Sequence, residues 1–377
     1  MLNLIKKMLK CASAVILVLS FFVLVPFFLV YRKFLQYKII EGRNERLSKG
    51  INELKSVKIG DIQQWISVRG ENKKNPLLLI ISGGPGFSMM PFSFIFNSLE
   101  SNFTIIQWDQ RGAGKTYRAN EKSISQSITI NQMHADTLEI VNYLRNQFKK
   151  EKIFILGHSW GSVLGLKLAQ DYPELIYGYI GIGQLIHTKI NEKIGYDNVL
   201  KIAYENSNKR AIKSLEKLNS FKKADLTNLT MKDFSVLRKW QFQLNNVVAI
   251  KKFDLLIIIR NAFCVPEYSL LDYFYLIRGT LNLLKSKKFF DEILNINLEN
   301  KTSYCTPIYI FSGKNDFVTN PLPIYEYFKK IVAPHKEYVC FEESGHNLFF
   351  EETDKFVESL CSVKQVLIMP SKIDETC

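Results

Sequence analysis

Two kinds of hydrophobic pattern alternate along this chain. Short, continuously apolar runs end in glycine or polar turn residues: PLLLIISGG (76–84), FTIIQW (103–108), KIFILGH (152–158), YGYIGIG (177–183), TPIYIFSG (306–313) and KEYVCFE (336–342). Between them lie longer stretches whose apolar positions recur at helical spacing. A strand buried on one face alternates apolar and polar residues, whereas a strand covered on both faces is apolar throughout. The pattern therefore predicts an α/β chain with a mostly parallel sheet sandwiched between helices. From 186 to about 300 it changes. Amphipathic segments such as VLKIAYENSNKRAIKSLEKL (199–218) dominate, and the only strand-like run is the interrupted LLIII at 255–259. This predicts a first core segment over 51–185, a helical lid insertion over 186–300, a second core segment over 301–365 and a tail over 366–377.

The N-terminal end reads differently. CASAVILVLSFFVLVPFFLVY (11–31) is uncharged, apolar and about as long as a bilayer crossing requires. Lys6, Lys7 and Lys10 precede it, and Arg32 and Lys33 follow. The bulky Phe27, Phe28 and Leu29 at its end differ from the small residues of a cleavage site, so an uncleaved anchor over 1–33 is expected, followed by a linker over 34–50. A short basic head before an apolar run favours an extracytoplasmic catalytic domain on a single-pass anchor in the cell membrane.

The chemistry concentrates in IFILGHSWGSVLGLKLAQ (153–170), where a buried strand turns through Gly157-His-Ser-Trp-Gly161 straight into a helix. That turn exposes Ser159 at a strained apex and needs glycines where backbone approaches backbone. A serine nucleophile needs a base, and the base needs an orienting carboxylate. Of the five histidines, His134 precedes the serine within a helix, His158 adjoins it, His187 opens the insertion and His335 precedes a strand. His346, in EESGHN just beyond an apolar strand, fits the base. Asp316, beyond the strand of TPIYIFSGKND, fits the orienting role. Backbone N–H groups of Gly84, in the SGGPG loop, and of Trp160 are the expected oxyanion donors. WDQRGAGKT (108–116) ends like a phosphate-binding loop but has Asp109 where that loop needs glycine. It reads as a structural turn, with Asp109 and Arg111 paired or bonded to backbone.

Taken together, SGGPG, WDQRGAGKT, GHSWGS, the aspartate of GKND and the histidine of SGHN resemble the proline iminopeptidase group of α/β-hydrolases over roughly residues 50–362. The resemblance implies a Ser159–Asp316–His346 triad, the oxyanion donors Gly84 and Trp160, and an aminopeptidase acting on a small-molecule or short peptide substrate. Two positions depart from the group: Ser82 stands where its first loop usually begins with histidine, and Trp240 is followed by the neutral Gln241 where the group places a glutamate for the substrate's amine. A buried ammonium needs a carboxylate. The insertion offers Glu205, Glu267 and Asp272, with Glu267 in the turn-like VPEYS the foremost candidate. An esterase or lipase-like hydrolase is the alternative, and a catalytically silent binding protein on the same fold is a distant third.

Charge and cysteine content add little. The net charge of +14 is spread without the aromatic interleaving of a nucleic-acid module, so no nucleic-acid partner is expected; beside an anchor, it suits anionic lipid. The six cysteines lack zinc or redox spacing. Cys305 and Cys340 are expected in core strands, and no metal or cofactor is implied.

Overall fold

The computed structural model describes residues 25–124, 128–223, 226, 229–244 and 252–368, and within these the side chains from 255 onward in the last span. An eight-stranded sheet runs in the order β1-β2-β4-β3-β5-β6-β7-β8. Its strands are β1 (Ile51–Ile59), β2 (Ile62–Gly70), β3 (Leu77–Ile81), β4 (Thr104–Asp109), β5 (Ile153–His158), β6 (Ile176–Ile182), β7 (Ile308–Gly313) and β8 (Lys336–Phe341). β1 and β2 form an antiparallel hairpin, and β2 joins β4 antiparallel; the remaining pairs are parallel.

The apolar runs are continuous because both faces are covered. Leu77, Leu79, Ile81, Ile153 and Ile155 point into one core, under α3 (Ile130–Phe148) and α4 (Trp160–Asp171). Leu78, Ile80, Phe154 and Leu156 point into the other, under the 3-10 segment Met90–Leu99 and the C-terminal helix Thr353–Ile368. Between β4 and α3 lies α2 (Gly114–Ile124). Residues 25–46 form α1, so the stretch expected as a linker is helical for most of its length. The expected membrane segment lies largely outside the described residues; among those described, no helix is long and apolar enough to cross a membrane.

Between β6 and β7 the regular elements among the described residues are helices: α5 (Thr188–Glu205), α6 (Lys209–Leu215), α7 (Asn219–Lys222), α8 (Met231–Leu244), α9 (Lys252–Cys264), α10 (Leu270–Lys285) and α11 (Lys287–Leu294). The LLIII run belongs to α9. Cys305 is exposed and precedes β7, correcting its expected place in a strand, whereas Cys340 lies in β8.

The strand registers align the parallel strand ends. Ile81 pairs with Gly157, His158 with Ile182, Ile182 with Phe311, and Gly313 with Phe341. The loops after β3, β5, β7 and β8 therefore leave from one edge, where open α/β sheets carry their sites.

Candidate active site

Ser159 stands between β5 and α4 with φ 54° and ψ −118°, a left-handed conformation that a non-glycine residue holds only when its surroundings impose it. Its neighbours explain the two glycines. A Cβ on Gly161 would lie 2.1 Å from the Ile81 carbonyl oxygen, and one on Gly157 would lie 2.7 Å from that of Gly161. The turn holds because the Ser159 N–H donates to the Ile182 carbonyl (2.9 Å) and the Ser162 N–H donates to that of Ser159 (2.9 Å). Trp160 opens α4, and first-turn amides have no acceptor within their own helix. Its N–H therefore remains available beside Ser159.

His346 and Asp316 meet from the loops after β8 and β7. His346 Nδ1 is 2.8 Å from Asp316 Oδ2. Thr319 Oγ1 donates to the same oxygen (2.6 Å), while the Val318 and Thr319 amides both donate to Oδ1 (2.8 Å each). Burial pushes the Asp316 carboxyl up, but the adjacent His346 and the Thr319 donors outweigh it and hold the group below its ordinary value. The histidine loop is clamped from behind: the Gly345 amide donates to Glu351 (2.5 Å) and the Ser344 hydroxyl to Glu352 (2.6 Å). His158 lies on the other side, its ring centroid 4.9 Å from that of His346. Its Nε2 is 3.1 Å from the His346 carbonyl oxygen, the geometry of an N–H donor. Burial, with His346 nearby, pushes the His158 imidazole down to about 3, so it stays neutral.

Ser159, His346, Gly84 and Trp160 share one cleft of about 480 Å³. The sheet-edge loops form its floor. Its walls come from the insertion: Phe234 and Phe242 on α8, Thr280 and Leu284 on α10, and Phe290 and Ile293 on α11. One ion pair breaks this apolar lining. Glu192 on α5, almost wholly buried, receives Arg238 of α8 on both oxygens, Nη2 to Oε1 at 2.5 Å and Nη1 to Oε2 at 2.8 Å. The guanidinium also stacks 4.1 Å from the Phe234 ring. Sequence reasoning missed this pair. Its signal was the polar stripe Thr188, Asn191, Glu192 and Gly195, which α5 buries at helical spacing.

The residues expected to hold an amine do not reach the cleft. Glu267 is buried elsewhere, 2.5 Å from Arg43 of α1. Gln241 sits under the cleft wall, donating to the Phe317 carbonyl (2.7 Å) and accepting from Arg238 (2.6 Å). Trp240 packs in the core of the insertion. Asp272 caps α10 and pairs with Lys115 and Arg118, and Glu205 is exposed, 3.8 Å from Lys201. Glu267 and Gln241 are held by partners distant in sequence, which periodicity alone does not locate. In the WDQRGAGKT turn, Asp109 accepts from Ser88, Tyr268 and the Lys115 amide, while Arg111 pairs with Asp136 rather than with Asp109. Among the described residues no cluster could hold a metal ion.

With this geometry in view, the comparisons with known proteins are direct. Residues 76–353 match the alpha/beta hydrolase fold family. The chain belongs to that family. It is 31% identical over 321 residues to Probable aminopeptidase YbaC of Bacillus subtilis, covering 83% of this chain and 96% of the relative. A Proline iminopeptidase of Clostridium botulinum is 26% identical over 293 residues, covering 76% of this chain and 88% of that protein. Among solved structures, Proline iminopeptidase from Mycobacterium smegmatis superposes with a TM-score of 0.60 at 16% identity, covering 84% of this chain and 99% of that one. The hydrolase is thus proline iminopeptidase-like, and the α/β-hydrolase fold with a mostly parallel sheet expected from its sequence is the one it has.

Proposed function

We propose that this hydrolase acts by acyl-enzyme formation, with Ser159 as nucleophile, His346 as base and Asp316 as the group that orients it. The observation that carries the reading is the convergence in one cleft of a strained, partly exposed Ser159 and a His346 held by Asp316 at 2.8 Å. Ser159 Oγ bonds to the substrate's carbonyl carbon as its proton passes to His346. The Gly84 and Trp160 amides stabilise the resulting oxyanion, each contributing on the order of 3 kcal/mol. Collapse expels the leaving amine or alcohol, which takes the proton from His346. Water, deprotonated by His346, then releases the acid and restores Ser159.

For the substrate we infer an aminopeptidase reaction on small N-terminal residues, supported by the names its relatives carry. A substrate ammonium needs a carboxylate, and Glu192 supplies one within the cleft, where the amine would share that carboxylate with Arg238 or displace the guanidinium. The apolar walls favour the second reading, cleavage of short esters. We further infer a single-pass anchor over residues 11–31 that holds the catalytic domain at the cell membrane on its extracytoplasmic side. The test compares a prolyl arylamide, its N-acetylated form and a short p-nitrophenyl ester, with fluorophosphonate labelling of wild type and Ser159→Ala. Preference for the free amine, lost in Glu192→Gln, carries the aminopeptidase reading; ester cleavage indifferent to an amine carries the second. Labelling that persists in Ser159→Ala overturns the nucleophile.

A further inference from the structure

Helix α1 is attached with its polarity reversed. Its inward stripe is Arg32, Gln36 and Arg43, all buried. Arg32 donates to the carbonyls of Phe263 (2.7 Å) and Tyr268 (2.5 Å), and Gln36 to that of Val265 (2.9 Å). Arg43 pairs with Glu267. The outward face is apolar: Phe27, Val30, Phe34 and Tyr37 are each more than half exposed. A helix packed on a protein in water does the opposite, burying its apolar stripe.

The segment that α1 clamps joins α9 to α10, and those helices also turn apolar residues outward, although α10 buries Leu283 and α9 buries Ala262 and Cys264. On α10 the buried positions include Asp272 and Gly279, while Phe274, Ile277 and Leu281 are more than half exposed. On α9, Leu255, Leu256 and Ile259 face outward. Phe263 near the end of α9 stacks on Tyr273 near the start of α10, with ring centroids 4.9 Å apart, and Arg32 and Gln36 of α1 bond to the segment between them, so the three helices meet at that segment. Contiguous apolar surface of this kind marks an interaction site.

The geometry points to a phospholipid bilayer as the occupant: the outer faces of α1, α9 and α10 form a docking surface by which the catalytic domain itself lies in the membrane interface. Two observations select lipid over a protein partner. The chain that enters α1 is the uncharged apolar run beginning at Cys11, so the patch surrounds the place where the chain meets that run. The exposed charges of α1 and 255–285 are mostly cationic, Lys33, Lys38, Arg260, Arg278 and Lys285, against Glu41 and Glu45 near the C-terminal end of α1. The two carboxylates of 255–285, Glu267 and Asp272, are buried in ion pairs. Apolar centre and cationic rim are the arrangement of an interfacial helix on anionic lipid. α10 also carries Thr280 and Leu284 on the cleft wall, so docking brings the cleft to the membrane surface. This surface goes beyond the anchor, since α9 and α10 lie more than 200 residues after it.

The test is photolabelling of the full-length protein in vesicles of phosphatidylcholine and phosphatidylglycerol that contain a phospholipid with a diazirine in its acyl chain. Adducts are expected within 255–281 as well as 25–40. Leu322 and Val332, equally exposed but beside β7 at the other end of the sheet, serve as the background. Adducts confined to the N-terminal region, with 255–281 at background, overturn the proposal. So does a face shielded by a second copy, seen as cross-links between the 255–281 segments of two chains in place of lipid adducts. In the double variant Phe274→Glu/Ile277→Glu, adducts in 255–281 are expected to fall about tenfold, with hydrolysis of a short soluble ester unchanged; undiminished adducts overturn it.

Discussion

Asp316 accepts four hydrogen bonds, from two amides, a hydroxyl and an imidazole, and this satisfaction fixes which tautomer His346 adopts. Asp316→Asn presents an N–H where an acceptor is needed and is expected to lower kcat about 10⁴-fold, read against an unchanged far-ultraviolet dichroism spectrum. Because the folded carboxyl lies below its ordinary value, its contribution to stability is present above about pH 4, the unfolded value, and is lost as pH falls through the folded one. Urea unfolding between pH 3 and 7 should show this slope, and Asp316→Asn should flatten it. Ser159, Asp316 and His346 could be singled out in the sequence because each sits at a strand end with its own turn chemistry. Glu192 was not, because the polar stripe on α5 does not say what it meets, and its partner Arg238 comes from another helix. Glu267 misled for the same reason: a carboxylate in a turn reads alike whether it faces a cleft or the guanidinium of Arg43.

At the level of elements, the site depends on how closely α4 approaches β3. Gly161→Ala would set a methyl group 2.1 Å from the Ile81 carbonyl, forcing helix and strand apart. A loss of about 3 kcal/mol in urea unfolding is expected, together with loss of fluorophosphonate labelling. The attachment of α1 gives a second expectation. Arg43→Ala leaves Glu267 buried beside Arg69 without its closest partner and should cost about 3 kcal/mol, with limited proteolysis then cutting within 25–46. The sheet and its covering helices were legible because strands apolar on both faces have few alternatives. The 25–46 helix was not, since its buried positions are the polar Arg32, Gln36 and Arg43 while Phe27, Val30, Phe34 and Tyr37 face away, the reverse of what amphipathic reasoning assumes.

Across the whole molecule, the N-terminal segment and the insertion are one attachment, although they are far apart in sequence. Full-length protein is expected to stay with membranes through an alkaline carbonate wash. Removal of residues 1–24, which leaves every described contact of α1 in place, should make it extractable by carbonate and high salt; resistance to both would exclude residues 1–24 as the anchor. The long separation also sets an order of events during synthesis. Arg32 leaves the ribosome 231 residues before the Phe263 carbonyl it binds, and at roughly 5–20 residues per second that interval is about 10 to 50 seconds. Throughout that time Arg32 and Gln36 lack their carbonyl acceptors, Arg43 lacks Glu267, and the apolar flank has no cover. The last of its acceptors, Tyr268, emerges only after two thirds of the chain has been made, so until then the newborn helix presents both its stripes to whatever surrounds the growing chain.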